Sequence, residues 1–220
     1  MKPKSIVETF MTSALLAFSG GLQDAYTYNS RAHVFSNAQT GNIVLLAQNF
    51  MEGNIQKALT YLLPISAFLL GVLIAEQLQG KYHPAKRWHW YEMVLLIMIG
   101  TLFSVGFMPE SWNNIATMFV SFSCAIQVQA FQKIHGNQYA STMCIGNIKS
   151  GTAAFSTYLR TRNPEKLTVA FHYLGIILIF ALGAGFGGIL SIHYGYRVIW
   201  LSCLILTILL FRIHPYKKDL

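Results

Sequence analysis

The chain has 220 residues, of which 54% are hydrophobic and 11% charged, with a mean hydropathy of +0.44. Soluble domains usually carry about 25% charged residues, so this composition argues against a water-soluble globule and for a chain that crosses a membrane several times. Basic residues exceed acidic ones by 16 to 8, but they lie between apolar runs and form no basic stripe, which argues against a nucleic-acid partner.

In chain order, six stretches are long and apolar enough to be read as spans: about 10–29, 57–79, 91–108, 114–133, 168–190 and 197–212. Lys2 and Lys4 before the first run imitate a signal peptide. The run continues through Asp24 without a small-x-small cleavage site, so a retained first helix is expected. Trp88, Trp90, Trp112 and Trp200 all fall near span ends, where amphipathic rings prefer to sit. With the N-terminus in the cytoplasm, Lys2, Lys4, Lys81, Lys86, Arg87, Lys133, Lys149, Arg160, Arg162, Lys166, Arg212, Lys217 and Lys218 lie inside. Only Arg31, Lys57 and Arg197 lie outside. That distribution of about 13 to 3 places both termini in the cytoplasm. An eight-span alternative lowers the ratio to about 9 to 6 and puts Lys149 within a span.

A shift of about 105 residues superposes two halves of the chain, a period far too long for a solenoid. Ser19-Gly20-Gly21-Leu22-Gln23-Asp24-Ala25, then Thr40-Gly41-Asn42 and Phe68-Leu69-Leu70-Gly71, form the first copy. Cys124-Ala125-Ile126-Gln127-Val128-Gln129-Ala130, then Ile145-Gly146-Asn147 and Phe180-Ala181-Leu182-Gly183, form the second. The shift lays Asp24 on Gln129 and Gly41-Asn42 on Gly146-Asn147. An odd number of spans per half inverts one copy relative to the other. The expected fold is therefore all-α: a single polytopic membrane domain over 1–220, with six transmembrane helices in two inverted three-helix repeats. The halves run about 8–108 and 112–213, a known plan for transporters.

Segments 34–50 and 141–158 are too short or too polar to span. Thr40, Asn42 and Asn147 are expected start signals for a short helix in each. Such helices either dip into the protein, offering N–H groups and a positive dipole end to a ligand, or lie at the interface as capped surface helices. The stretch Gly146-Asn147-Ile148-Lys149-Ser150-Gly151-Thr152 lacks the order of a phosphate loop.

Asp24, in the outer third of the first span after Gly20-Gly21, is the sharpest single residue, with Arg31 two turns further on the same face. An acid at that depth must face protein, water or a partner. It either couples a proton or cation, touches substrate, or braces the Gly-Asn segment of its own half. Gln23, Gln127 and Gln129 both donate and accept, which suits a neutral polar ligand and equally suits helix–helix hydrogen bonds. The expected binding set is Asp24, Gln23, Thr40, Gly41, Asn42, Gln127, Gln129, Gly146 and Asn147. His172 alone makes no metal site, and Cys124, Cys144 and Cys203 are too scattered for zinc or a disulfide framework. No cofactor is implied.

Two rows of small residues, Ala67, Gly71 and Ala75, then Gly183, Gly187 and Ser191, permit close helix approach. Spans 2 and 5 are expected to cross through them near the pseudo-two-fold axis, with a homodimer contact as the alternative use.

Gly20-Gly21-Leu22-Gln23-Asp24-Ala25, Val34-Phe35, Thr40-Gly41-Asn42 and Phe68–Gly71 resemble the YoaK-like bacterial integral membrane proteins, catalogued as a domain of unknown function with about six spans. The resemblance covers nearly the whole chain. Its second half is looser: the family tends to show Gln-Asn-Ala and Thr-Gly where this chain has Gln127-Val128-Gln129-Ala130 and Ile145-Gly146. It implies the bacterial cell membrane and no substrate. The leading reading is a small-molecule transporter or permease rather than an enzyme, partnered by the lipid bilayer and an unidentified small molecule. A sensor or assembly factor is the alternative. An intramembrane enzyme would need a nucleophile–base pair or metal ligands, and neither HExxH nor a clustered acidic pair occurs.

Overall fold

A computed structural model describes residues 5–81 and 89–216. Lys2, Lys4, Lys86, Arg87, Trp88, Lys217 and Lys218, used above for orientation and interface position, lie outside the described residues. Among the described residues the chain forms eight α-helices: α1 (Phe10–Ser30), α2 (Gln39–Met51), α3 (Ile55–Gly80), α4 (Trp90–Val105), α5 (Asn113–Ala130), α6 (Cys144–Thr161), α7 (Pro164–Tyr194) and α8 (Ile199–Ile213). A two-residue antiparallel hairpin pairs Lys133 with Gln138 and Ile134 with Asn137. Nothing local points to it beyond Gly136, whose φ of +80° closes the turn.

Two helical stretches, Ile55–Gly80 and Pro164–Ile213, are long and apolar enough by themselves to cross a membrane, and Trp90–Val105 is apolar but shorter. α1 and α5 are less apolar because Ser, Thr, Gln and, in α1, Asp line their inner faces. Large apolar side chains on the outer surfaces, such as Leu69, Leu73, Leu178, Ile189, Leu204 and Phe211, stay exposed. A soluble protein does not leave patches of that extent bare.

The long helices alternate in direction. At one end, His214 just after α8 bonds Glu92 in the first turn of α4, and Glu8, just before α1, lies beside Trp90 and Gln129. At the other end, Arg31 after α1 donates to the Val105 and Met108 carbonyls at the end of α4 and to Asn113 at the start of α5. α1 packs along α7, α3 along α5, α2 on α3, α6 on α7, and α4 on both α5 and α8, while α8 also packs on α1.

The two small-residue rows do not meet each other, which corrects the expected crossing of spans 2 and 5. A Cβ on Gly71 would sit 2.7 Å from the Phe122 carbonyl oxygen and 2.7 Å from Ala125 Cβ, both on α5. A Cβ on Gly187 would sit 2.7 Å from Leu22 Cα, and one on Gly183 would strike the Phe18 carbonyl, both on α1. Ala67 and Ala75 are buried on the same face of α3 as Gly71. The row on α3 thus admits α5, and the row on α7 admits α1. Small residues allow any close neighbour, and the sequence does not say which.

Candidate functional site

After Arg31 the chain does not leave the bundle. It turns back alongside α1, and the Asn37 side chain donates to the Gly20 carbonyl at 2.9 Å. Gly20 lies about 16 Å along the helix axis from Arg31. α2 begins only there and returns outward against α3. From the opposite end, residues 139–143 run back along α5 until Thr142 meets Cys124 (Oγ1 to Sγ, 3.5 Å), about 9 Å in from the end of α5 at Ala130. α6 starts at Cys144 and returns against α7.

The N-terminal ends of α2 and α6 therefore reach the bundle interior from opposite ends. Neither is capped as expected: the N-caps are Ala38 and Met143, with no side-chain cap bond, and Thr40 is exposed beyond the cap. Asn42 and Asn147 do a different job from the start signals proposed for them. The Asn42 amide donates to the Phe35 carbonyl at 3.0 Å and to Gln39 Oε1 at 3.0 Å. The Asn147 amide donates to the Ala140 carbonyl at 2.7 Å, and its oxygen accepts from the Ala140 N–H at 3.4 Å. Each asparagine holds the carbonyl seven residues before it, so each braces the incoming strand of its own segment. Gly41 and Gly146 are exposed, with open space where a Cβ would be.

Between these helix ends lies a buried polar cluster. Asp24 is only 7% exposed, and its Oδ1 accepts the Asn37 N–H at 2.9 Å. No cation pairs with it among the described residues, and Arg31 is committed to α4 carbonyls and to Tyr26 OH. Ser121 Oγ donates to the Ser36 carbonyl at 2.6 Å, and Gln39 Nε2 donates to the same carbonyl and to Ser121 Oγ. These bonds tie the first segment to α5. Gln127 Nε2 donates to Ser141 Oγ at 2.7 Å and to the Leu16 carbonyl at 3.3 Å, which ties the second segment to α1. The Asn37 Oδ1, Gln127 Oε1 and Ser123 Oγ atoms are buried without a partner. Buried polar atoms left this way are uncommon in a finished core.

Of the residues singled out in the sequence, Asp24 and Gln127 belong to this cluster. Gln23 is buried beside it, its amide donating to Ser19 Oγ at 3.0 Å. Asn42 and Asn147 stand behind it as braces. Gln129, the positional counterpart of Asp24, lies apart near the end that carries Glu8, where its amide donates to Glu76. Sequence reasoning missed Ser36, Asn37, Ser121, Cys124, Ser141 and Thr142. A signal was there: the 105-residue shift lays Ser36 on Ser141 and Asn37 on Thr142, polar on polar, immediately before the Gly-Asn pairs.

A helical bundle with apolar outer faces, a polar interior and two apolar stretches of spanning length defines an α-helical membrane protein. The chain belongs to the family described as "Protein of unknown function (DUF1275)", whose model matches residues 12–211. It is similar to the UPF0700 transmembrane protein YoaK of Bacillus subtilis (strain 168), with 27% identity over 186 residues, covering 76% of this chain and 80% of that protein. No solved structure matches it.

Proposed function

We propose that this protein is a small-molecule transporter of the bacterial cell membrane, with six crossing helices (α1, α3, α4, α5, α7 and α8) and two re-entrant helices (α2 and α6). The observation that carries the reading is the meeting of two uncapped helix starts, reached from opposite ends, at a buried cluster that holds one unpaired carboxylate. Irregular backbone at membrane depth is tolerated only where it is buried in protein or lines a polar cavity. Broken elements of this kind form the binding sites of many transporters.

The packing pattern supports two inverted repeats. Exchanging α1 with α5, α2 with α6, α3 with α7 and α4 with α8 turns the α1–α7 contact into α5–α3, α2–α3 into α6–α7, and α4–α5 into α8–α1. The α4–α8 contact maps onto itself. A two-fold axis relating halves of opposite direction would produce this set, and it is the symmetry that allows alternate opening to either side. The end bearing Ser5 and His214 is the cytoplasmic one in this reading, since Lys81, Lys133 and Arg212 lie at that end and fewer basic residues, Arg31 and Arg197 among them, lie at the other. The bound species sits among Asp24, Asn37, Gln127 and the first turns of α2 and α6.

Counterflow tests the proposal. Proteoliposomes preloaded with a metabolite mixture should accumulate a labelled member of it transiently, and Asp24→Asn should abolish that accumulation. Absence of counterflow across a broad panel of amines, amino acids, sugars and organic anions would leave a sensor or assembly role in its place.

A further inference from the structure

Buried polar side-chain atoms without a protein partner are not spread evenly through the bundle. Nine occur among the described residues, and six of them mark a line from the end that carries Ser5 and His214 to Asp24. Those six belong to His172, Tyr139, Ser13, Gln127, Ser123 and Asn37, while the other three are on Glu8, Ser191 and Ser202. Polar groups that served only to join helices would be paired with one another.

The line begins at the half-buried imidazoles of His135 and His172, whose rings stack at 4.6 Å. His135 Nε2 accepts the Phe10 N–H at the start of α1. One turn further along α1, the buried Ser13 hydroxyl faces the buried Tyr139 hydroxyl. Gln127 follows at Leu16: its Nε2 donates to the Leu16 carbonyl and to Ser141 Oγ, and its Oε1 stays free. Ser123 lies one turn away on the same face of α5. Asn37 makes the last step. Its Nδ2 donates to the Gly20 carbonyl and its N–H to Asp24 Oδ1, both at 2.9 Å, and its own Oδ1 is free. From Ser13 to Asp24 the line covers about 16 Å of α1. On the outer side of Asp24 the polar groups between α1 and α5 are paired instead. Thr27 Oγ1 donates to the Asp24 carbonyl, Ser36 Oγ donates to the Thr117 carbonyl, and Arg31 is committed to α4.

We infer that Asp24 takes up and releases a proton along this line, from the cytoplasmic side. Imidazoles, hydroxyls and amides in series, with water between them, relay protons, and acids inside a membrane carry protons in pumps and transporters. Uptake turns the carboxylate into an acid with one O–H to donate, and the free Asn37 Oδ1 beside it can accept that bond. Release to water restores the carboxylate. The titratable groups that face Asp24 from other elements are the thiols of Cys124 on α5 and Cys144 on α6, and no cation pairs with it among the described residues. With a single carboxylate in the cluster, the proton and the bound species take it in turn. That last step rests on the transport reading, and under it protons and substrate move in opposite directions.

Dicyclohexylcarbodiimide reacts with a protonated carboxyl group, so labelling of the detergent-purified protein tests the proton site. Mass spectrometry of the Asp24 peptide should show labelling that falls as pH rises and that is equal in sodium and potassium chloride at the same ionic strength. Labelling that ignores pH, or that sodium blocks, overturns the inference. Proteoliposomes preloaded with the metabolite mixture and the pH dye pyranine, then diluted into buffer without the mixture, test the exchange. The lumen should acidify as solute leaves, and Asp24→Asn should lose the signal. Tyr139→Phe deletes one hydroxyl of the line, outside the binding cluster. It should keep counterflow, which swaps solute for solute, and lose the acidification. Ser13→Ala serves the same purpose if Tyr139→Phe does not fold. Acidification at the wild-type rate in both folded variants overturns the path. Counterflow with no change in lumenal pH keeps the transporter reading and overturns the inference. Labelling that follows pH without counterflow of any solute keeps the proton site and removes the transporter reading.

Discussion

Gly183→Ala and Gly185→Ala form a matched pair on α7. Both exchange a helical glycine for alanine, and both gain the same intrinsic helix stability of about 0.5–1 kcal/mol. They differ in what the new methyl group meets. At Gly185 there is nothing within 4 Å, whereas at Gly183 the methyl strikes the Phe18 main chain of α1. Backbone cannot rotate aside as a flexible side chain can, so α1 and α7 must separate. Overpacking of this kind costs about 1–3 kcal/mol. Because the propensity gain cancels between the variants, the whole difference reports the contact. For a chain of this size that is a gap of roughly 2–12 °C in melting temperature, with Gly185→Ala the more stable. Thermal unfolding of both variants in the same detergent, followed by tryptophan fluorescence, measures it. If the two variants melt within a degree of each other, α1 and α7 do not touch through Gly183 and the parallel packing described for them is wrong.

Asp24→Asn should melt near the wild type, because the amide oxygen can still accept the Asn37 N–H now held at 2.9 Å, while counterflow is lost with the charge. A drop in stability that matches the drop in activity would assign Asp24 a bracing role instead. Asn147→Ala removes both bonds to Ala140 and should cost about 1–3 kcal/mol, and Asn42→Ala should cost a similar amount through Phe35 and Gln39. Unfolding of these two variants checks the pairing, and unchanged stability in both would show that the incoming segments need no brace. Single cysteines at Asn54 and Arg162 in a cysteine-free background should label from opposite sides of the membrane. Labelling from one side would end the inverted-repeat reading.

Composition and periodicity alone carried much of the architecture. Long apolar runs have to be helices in lipid, where no water can satisfy the backbone, so α3, α4, α7 and α8 were legible as apolar runs. Asp24 stood out because an acid within such a run is costly. The limits of the segments were less legible. Segment 34–50 became a helix only from Gln39, and its start has no capping side chain to announce it. The residues before it were passed over as loop, yet Asn37 and Ser36 are what bind it to Gly20 and α5.

The sequence by itself determined an apolar helical chain, a polar pattern that recurs after about 105 residues and an acid placed where it must find a partner. The partners themselves were decided only by the tertiary structure. Gly71 and Gly183 promise close approach to some helix, but a missing side chain carries no address, and the packing of α3 on α5 and of α7 on α1 follows from the shape of the whole bundle. Gln129 matches Asp24 in the 105-residue shift yet lies apart from it, at the end that carries Glu8, and the shift alone does not say where the two positions fall in space. The polar line from His172 to Asp24 needed separated stretches of the chain to arrive side by side, and no local pattern in the sequence records such a meeting.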